Sequence, residues 1–406
     1  MKKRCAPIVL SLIALLIAAL ACKFPIPSQP TETIEVFEPT PVVETEFVPT
    51  EVAPLPTVVE PATEPPTEPT PETPNAGQIA YIYGGNVWRY LVSTGEIVQV
   101  TLDGSAGSPE TRYENPQFSP DGRYLAYTKN KISTIMDLVS VSLVDLSALG
   151  EFYKWSGTGY EFFAVRGDFE CPAIENLEDQ TLINFDILRY SLAALDSPEI
   201  LGNIGGGLKF LTAISNDGQW ASIVNCGCYS ECGSASLWHL PTASTIILPA
   251  DLYAGNIDFS PDRSRLTVSQ QQMFGYIESP LYIANNDMSG LTPVFSEVNT
   301  APTLALWSPD GEQLAFTAVS FGADDMETTE SKVILSHPTG GGMFVVESGM
   351  ADLIDWNPDG SKLFYRQTSG TSESFFNYEI VPGMKVPVPI MIDPYSSRNV
   401  DWGMIQ

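Results

Sequence analysis

One five-residue pattern recurs along this chain at near-constant spacing, and it limits the fold more than any other feature. Phe118-Ser119-Pro120-Asp121-Gly122 is one copy. Phe259-Ser260-Pro261-Asp262-Arg263, Trp307-Ser308-Pro309-Asp310-Gly311 and Trp356-Asn357-Pro358-Asp359-Gly360 follow, and Ile214-Ser215-Asn216-Asp217-Gly218 is a weaker copy. Their first residues lie 96, 45, 48 and 49 positions apart. The first interval is twice 48, so a degenerate copy is expected near Phe162 to Asp168. A period of this length means stacked copies of one supersecondary unit. The pattern itself is a turn. Proline pre-sets φ at the second position, aspartate bonds the local backbone, and glycine accepts a positive φ at the end. Arg263 breaks the glycine rule, and a distorted or strained turn is expected there.

Between the turns lie short alternating runs such as IAYIY, RYLAYT, SLWHL, QLAFTAVS and KLFYRQ. β-branched and aromatic residues dominate them, and Gly, Pro, Asp and Asn separate them. They read as strands, with no long amphipathic helix. An all-β chain follows. An aromatic residue, the turn and an apolar strand such as Gln313-Leu-Ala-Phe316, in this order, resemble the repeat of TolB-like, WD-repeat-like β-propellers over residues 78–406. The resemblance implies four-stranded blades whose innermost strands carry Phe118, Phe259, Trp307, Trp356 and Trp402 as core residues. Gln78 to Thr101 supplies three strands and lacks an innermost one, while Asn399-Val-Asp-Trp402 looks like Leu353-Ile-Asp-Trp356. The last strand should therefore complete the first blade and close the ring. Seven blades are favoured over six, the count if residues 124–214 hold a single blade with an insertion. TolB itself has an α/β domain before its propeller, which this chain replaces with a different segment. The fold is carried over from the resemblance, and the Tol-Pal role is not.

That preceding segment has its own logic. Lys2, Lys3 and Arg4 precede an apolar run from Ala6 to Ala21, the arrangement of a signal peptide at 1–21. Ala19-Leu20-Ala21-Cys22 resembles the bacterial lipobox, which implies lipidation of Cys22 and export to the outer face of the cell membrane or envelope. Residues 22–77 are rich in Pro, Thr and Glu, with glutamate the only charged residue after Lys23. Such a stretch cannot bury enough apolar surface to order itself, and should form an extended stalk of up to roughly 170 Å at about 3.1 Å per residue. The membrane is thus to be met through the N-terminal lipid only.

Composition narrows function further. Twenty Lys+Arg against 49 Asp+Glu give a net charge of -29. A phosphate backbone needs a basic surface, so nucleic acid is excluded as a partner. Cys171, Cys226, Cys228 and Cys232 remain after processing, and in an exported chain they are candidate disulfide partners, with Cys171 joined to one of the other three and the remaining two to each other. A four-thiolate zinc site is the alternative, although Cys-x-Cys-x3-Cys lacks paired knuckles. His239 and His337 sit outside any triad pattern, and no Gly-x-Ser-x-Gly elbow occurs. Related propellers cap the hydrolase domain of the prolyl oligopeptidase family, but the blades leave no room for such a domain. Arg166-Gly167-Asp168 matches the adhesion tripeptide at chance level, and the acidic stretch Gly322 to Glu330 lacks the ordered spacing of a calcium loop. The expectation is a monomeric lipoprotein without cofactor, metal or catalytic residues, binding a protein, peptide or glycan on its loops, notably Thr158 to Asp179 and Cys226 to Ser236. The alternatives are a subunit of an envelope complex, or a hydrolase or lyase with a metal site in the channel.

Overall fold

The computed structural model describes residues 77–108, 110–157, 159–167, 184–205, 209–226, 232–248, 252, 254–270, 279–322, 327–393 and 400–405. They form seven antiparallel four-stranded sheets, each a blade of one propeller. Blade 1 joins the three strands from Gln78 to Gln99 to Val400–Gly403, which is its innermost strand. Ile79 pairs with Trp402 and Gln78 with Gly403. The chain therefore closes head to tail, and the innermost strand of the first blade comes from the far end of the sequence. Blades 2 to 7 begin with the innermost strands Tyr113–Phe118, Glu151–Trp155, Lys209–Ile214, Ala254–Phe259, Thr300–Trp307 and Ala351–Trp356, and run outwards in sequence order.

Packing explains the sequence pattern. A blade is covered on both faces by its neighbours, so its second strand is buried on both sides: Ile79 to Ile82, Phe162 to Val165 and Leu314 to Ala318 are continuously buried. The outermost strands, such as Glu96–Gln99 and Phe344–Glu347, are largely exposed. The core consists of seven separate apolar clusters, and each lies between two consecutive blades. Phe118, Phe259, Trp307, Trp356 and Trp402 are all buried within these joints.

The turns repeat one bonding pattern. The amide of Ser119 donates to Tyr124, and the same step recurs from Ser156 to Glu161, Ser215 to Trp220, Ser260 to Arg265, Ser308 to Gln313 and Asn357 to Lys362, all at 2.8–3.0 Å. The Ser119 hydroxyl bonds Asp121 at 2.7 Å and accepts from the Tyr124 amide at 2.9 Å, tying the turn shut. One expectation is corrected here. The degenerate copy is Trp155-Ser156-Gly157-Thr158-Gly159, not a segment near Phe162 to Asp168. Phe162 to Gly167 is a second strand. Trp155 lies 37 residues after Phe118 and 59 before Ile214, because blade 3 carries an 11-residue outer strand and residues 168–183. An even period could not locate it. Of the two outcomes expected at Arg263, the turn is strained and not distorted. Arg263 adopts φ 65°, close to the 68–74° of Gly122, Gly218, Gly311 and Gly360. The hydrogen-bonded frame imposes the left-handed conformation on a residue with a Cβ, at a cost of about 1–2 kcal/mol.

Replacing Arg263 with glycine should therefore stabilise the protein by about 0.5–1 kcal/mol, the strain relieved less the extra entropy of glycine in the unfolded chain. Urea denaturation of the two proteins measures this, and an unchanged or lower midpoint would show that the arginine carries no strain.

Candidate functional site

Six innermost strands carry a register irregularity before the aromatic residue: between Glu114 and Gln117, Phe152 and Lys154, Leu211 and Ala213, Ala254 and Ile257, Pro302 and Ala305, and Leu353 and Asp355. Such bulges re-aim side chains. The residues directly before the seven inner-strand positions are Gln117, Lys154, Ala213, Asp258, Leu306, Asp355 and Asp401. Each of the five polar ones bonds the innermost strand of the next blade. Asp258 accepts the Trp307 amide at 3.3 Å, Asp355 the Trp402 amide at 3.1 Å, and Asp401 the Phe118 amide at 2.7 Å. Gln117 donates to the Tyr153 carbonyl at 3.0 Å and Lys154 to the Ile214 carbonyl at 3.2 Å. The indoles of Trp155, Trp307 and Trp356 donate backwards to Gln117, Asp258 and Leu306. Trp402 Nε1 is buried without such a partner among the described residues.

Three carboxylates and one ammonium thus gather around the axis. Burial pushes Asp258 upwards, against the pull of Lys154. Burial and the charges of Asp401 and Asp258 push Asp355 upwards. Burial pushes Asp401 up to about 7, and lowers Lys154. Carboxylates thus converge near the axis, as a channel-centred site would require. They are nevertheless occupied as staples between blades. Among the described residues, no three His, Cys, Asp or Glu side chains are placed to hold one metal ion.

A cleft of about 690 Å³ provides a second arrangement, where blades 2, 3 and 4 meet. Its wall includes Asn115 and Lys131 from blade 2, Glu151, Tyr153 and Arg166 from blade 3, and Phe210 from blade 4. Lys131 sits in the two-residue turn that joins Lys129 to Ile132, at φ 62° after Asn130 at φ 50°. A turn of this kind favours Asn-Gly, so a lysine is held where glycine would be unstrained. Asn115 lies at φ 53° in the bulged stretch of its strand. Arg166 pairs with Asp186 at 3.2 Å. Phe210 is 40% exposed. Burial raises the Glu151 carboxyl, with Glu114 adding to the effect and Lys131 opposing it. Burial and the charge of Asp258 also push the Tyr153 hydroxyl upwards, which places this tyrosine between the cleft and the axial ring. Volume and lining fall in the range of small-ligand sites.

The other singled-out residues lie elsewhere. Strand register sets Cys226 opposite Cys232, while Cys171 and Cys228 fall outside the described residues. His239 ends a strand and bonds Thr242 at 2.7 Å, and His337 bonds Thr339 at 2.9 Å in a loop. Arg166 and Gly167 end a strand, and Asp168 is not described. Residues 323–326 of the acidic stretch, most of the loop from Thr158 to Asp179, and Cys22 with its surroundings are also outside the described residues.

No family model matches the chain, and no curated relative does. Solved structures do match. A prolyl endopeptidase structure is 14% identical with a TM-score of 0.55, covering 79% of this chain and 51% of that one. An oligogalacturonate lyase from Vibrio parahaemolyticus is 11% identical with a TM-score of 0.53, covering 73% and 83%. A putative TolB from Agrobacterium tumefaciens is 15% identical with a TM-score of 0.44, covering 70% and 95%. The chain thus spans about half the length of the prolyl endopeptidase it matches. At these identities the likeness shows the fold, a β-propeller.

The expectation that the chain is not an enzyme is corrected on this finding. Propellers that it matches belong to enzymes, among them the endopeptidase, the lyase and an acylaminoacyl peptidase. The expectation rested on the lack of room for a hydrolase domain and on the missing nucleophile elbow and histidine triad. The lyase shows why that reasoning fails, since the shared fold accounts for most of its chain.

The ring of carboxylates yields a pH prediction. Asp401 has a folded pKa near 7, against about 3.9 unfolded, so the folded state binds its proton more tightly. Its contribution to stability is fully present below pH 4 and lost as pH rises through 7. Asp401→Asn keeps an acceptor for the Phe118 amide and removes the titration. The variant should be more stable than the native protein at pH 8, by at most about 4 kcal/mol at ~1.4 kcal/mol per unit. The gap should close by pH 4. Thermal unfolding across this range tests it, and a gap that widens on acidification would refute the assignment.

Proposed function

We propose that this chain is an exported lipoprotein, anchored through Cys22, whose stalk at 22–77 displays a propeller at 78–406 that takes a peptide or glycan ligand into the cleft between blades 2, 3 and 4. One observation carries the ligand-binding part: a cleft of about 690 Å³ that sets the part-exposed Phe210 ring beside polar and charged side chains from three blades. The tripartite N-terminus supports the export and anchoring part: a basic start, an apolar run to Ala21, and Cys22 ahead of a Pro/Glu-rich stretch.

A second reading uses the same cleft for chemistry of the hydrolase or lyase kind. Glu151 favours it, because desolvation in the cleft raises its carboxyl while the residue stays open to solvent, and a perturbed, accessible carboxyl is a candidate for proton transfer. Service as a subunit of an envelope complex is compatible with either.

Two experiments test the proposal. Metabolic labelling with palmitate should mark the native protein, and Cys22→Ala should lose the label; label retained in the variant removes the anchor. Peptide and glycan arrays probed with the detergent-solubilised mature chain should give hits that Phe210→Ala and Tyr153→Ala weaken about tenfold, the effect of losing about 1.4 kcal/mol of contact. Hits that survive both substitutions would place binding elsewhere on the ring.

A further inference from the structure

Strand register brings two cysteines of blade 4 face to face. Cys226 ends the second strand of that blade and Cys232 begins the third. The core fixes the ladder between them. Ala221 lies opposite Trp238, Ile223 opposite Ser236 and Val224 opposite Ala235, and Ala221, Ile223, Val224 and Ala235 are all buried. A slip of one residue would turn these side chains out of the joints, so the register is strongly specified. Beyond Val224 the register shifts. One residue, Asn225, separates Val224 from Cys226, whereas two, Gly233 and Ser234, separate Ala235 from Cys232. The next pair across the ladder is then Cys226 with Cys232. An unshifted register would not have matched them.

Residues directly opposite on antiparallel strands have Cα atoms about 4.5 or 5.5 Å apart. Both separations fall inside the window of about 4.4–6.8 Å that a disulfide spans. The place also gives a link something to do. A bulge disrupts the ladder, so the pair at the open end of this hairpin has no regular ladder behind it. The same stretch backs the cleft: Val224 pairs with Phe210 and Asn225 with Lys209 on the innermost strand, and Phe210 lines the cleft. We propose that Cys226 and Cys232 form a disulfide that staples blade 4 at the wall of the cleft. Thiol–disulfide exchange makes it. The thiolate of one cysteine attacks a disulfide donor and releases one thiol, and the second cysteine displaces the other. The two cysteines lose two protons and two electrons, and the donor leaves as two thiols. The proposal rests on the export reading above for its oxidising surroundings.

Peptide mapping of the detergent-solubilised chain provides the test. The chain is reduced, equilibrated with oxidised and reduced glutathione, and alkylated at its free thiols. Cleavage after Glu231 then separates Cys232 from Cys226 and Cys228. The two fragments should stay joined until reduced, and tandem fragmentation between Cys226 and Cys228 should place the link on Cys226. Unfolding gives a second readout. The double variant Cys226→Ser/Cys232→Ser should melt a few degrees below the native protein in oxidising buffer, and the gap should close in reductant. Alkylated Cys232, a link from Cys232 to Cys228 or Cys171, thiolates holding a zinc ion, or a gap unchanged by reductant would each overturn the proposal. The export reading is judged separately, on the chain as isolated from the envelope. Free thiols there, together with a Cys226–Cys232 link after glutathione treatment, would remove the oxidising compartment and leave the pairing in place.

Discussion

Contact between neighbouring blades is the interaction on which the rest of this structure depends. A single four-stranded sheet of this chain is apolar on both faces and could not persist alone in water. The seven apolar clusters show the solution, since each is shared by two blades and none lies within one. Burial brings the faces together without choosing a register. At five of the seven joints, the polar residue before the inner-strand aromatic does that. Asp258, Asp355 and Asp401 reach an amide of the next blade, and Gln117 and Lys154 reach a carbonyl. Acid or base at this position decides which backbone group is held. The direction is constant around the ring, and the indoles of Trp155, Trp307 and Trp356 return bonds the other way. A solenoid would leave two such faces bare at its ends, whereas the Val400–Gly403 strand removes both by making the last blade a neighbour of the first.

Much of this was legible in the sequence because it is local. Five residues encode the turn, and its bonds run between positions five apart, so each copy could be read by itself. The pairing of Trp402 with the first blade was legible because Val-Asp-Trp repeats the pattern of Ile-Asp-Trp. The copy at Trp155 was missed for a physical reason. Its Gly157-Thr158 replaces Pro-Asp, yet Ser156 still closes the same backbone bond to Glu161. The frame therefore tolerates loss of the residues by which it was recognised. Arg263 makes the same point from the other side, since hydrogen bonds to Ser260 and Asp262 hold the loop whatever side chain occupies the fourth turn position.

The staples and the cleft were not legible, for two different reasons. Aspartate before an aromatic is visible at 258, 355 and 401, and that recurrence was a usable signal. Alternation alone, however, would point each of these side chains to one face of its own blade. The bulges, which sequence does not announce, change what the position meets. The cleft draws Lys131, Glu151, Arg166 and Phe210 from three blades. Nothing local connects an Asn-Lys turn with a strand start twenty residues on, and only the ring brings them together.

The same division of labour bears on catalysis. Carboxylates near an axis invite a metal or acid–base reading, and a raised pKa strengthens the invitation. Here one oxygen of each of Asp258, Asp355 and Asp401 is committed to an amide of the next blade, so moving that carboxylate towards a substrate would loosen a joint of the ring. Glu151 lines a cleft instead: desolvation raises its carboxyl, and a lysine from another blade acts on it. A ring built this way can alter one cleft residue without opening a joint. The carboxylates that hold the wheel together and the one best placed for chemistry are therefore different residues, and any activity should be sought at the junction of blades 2, 3 and 4 before the axis.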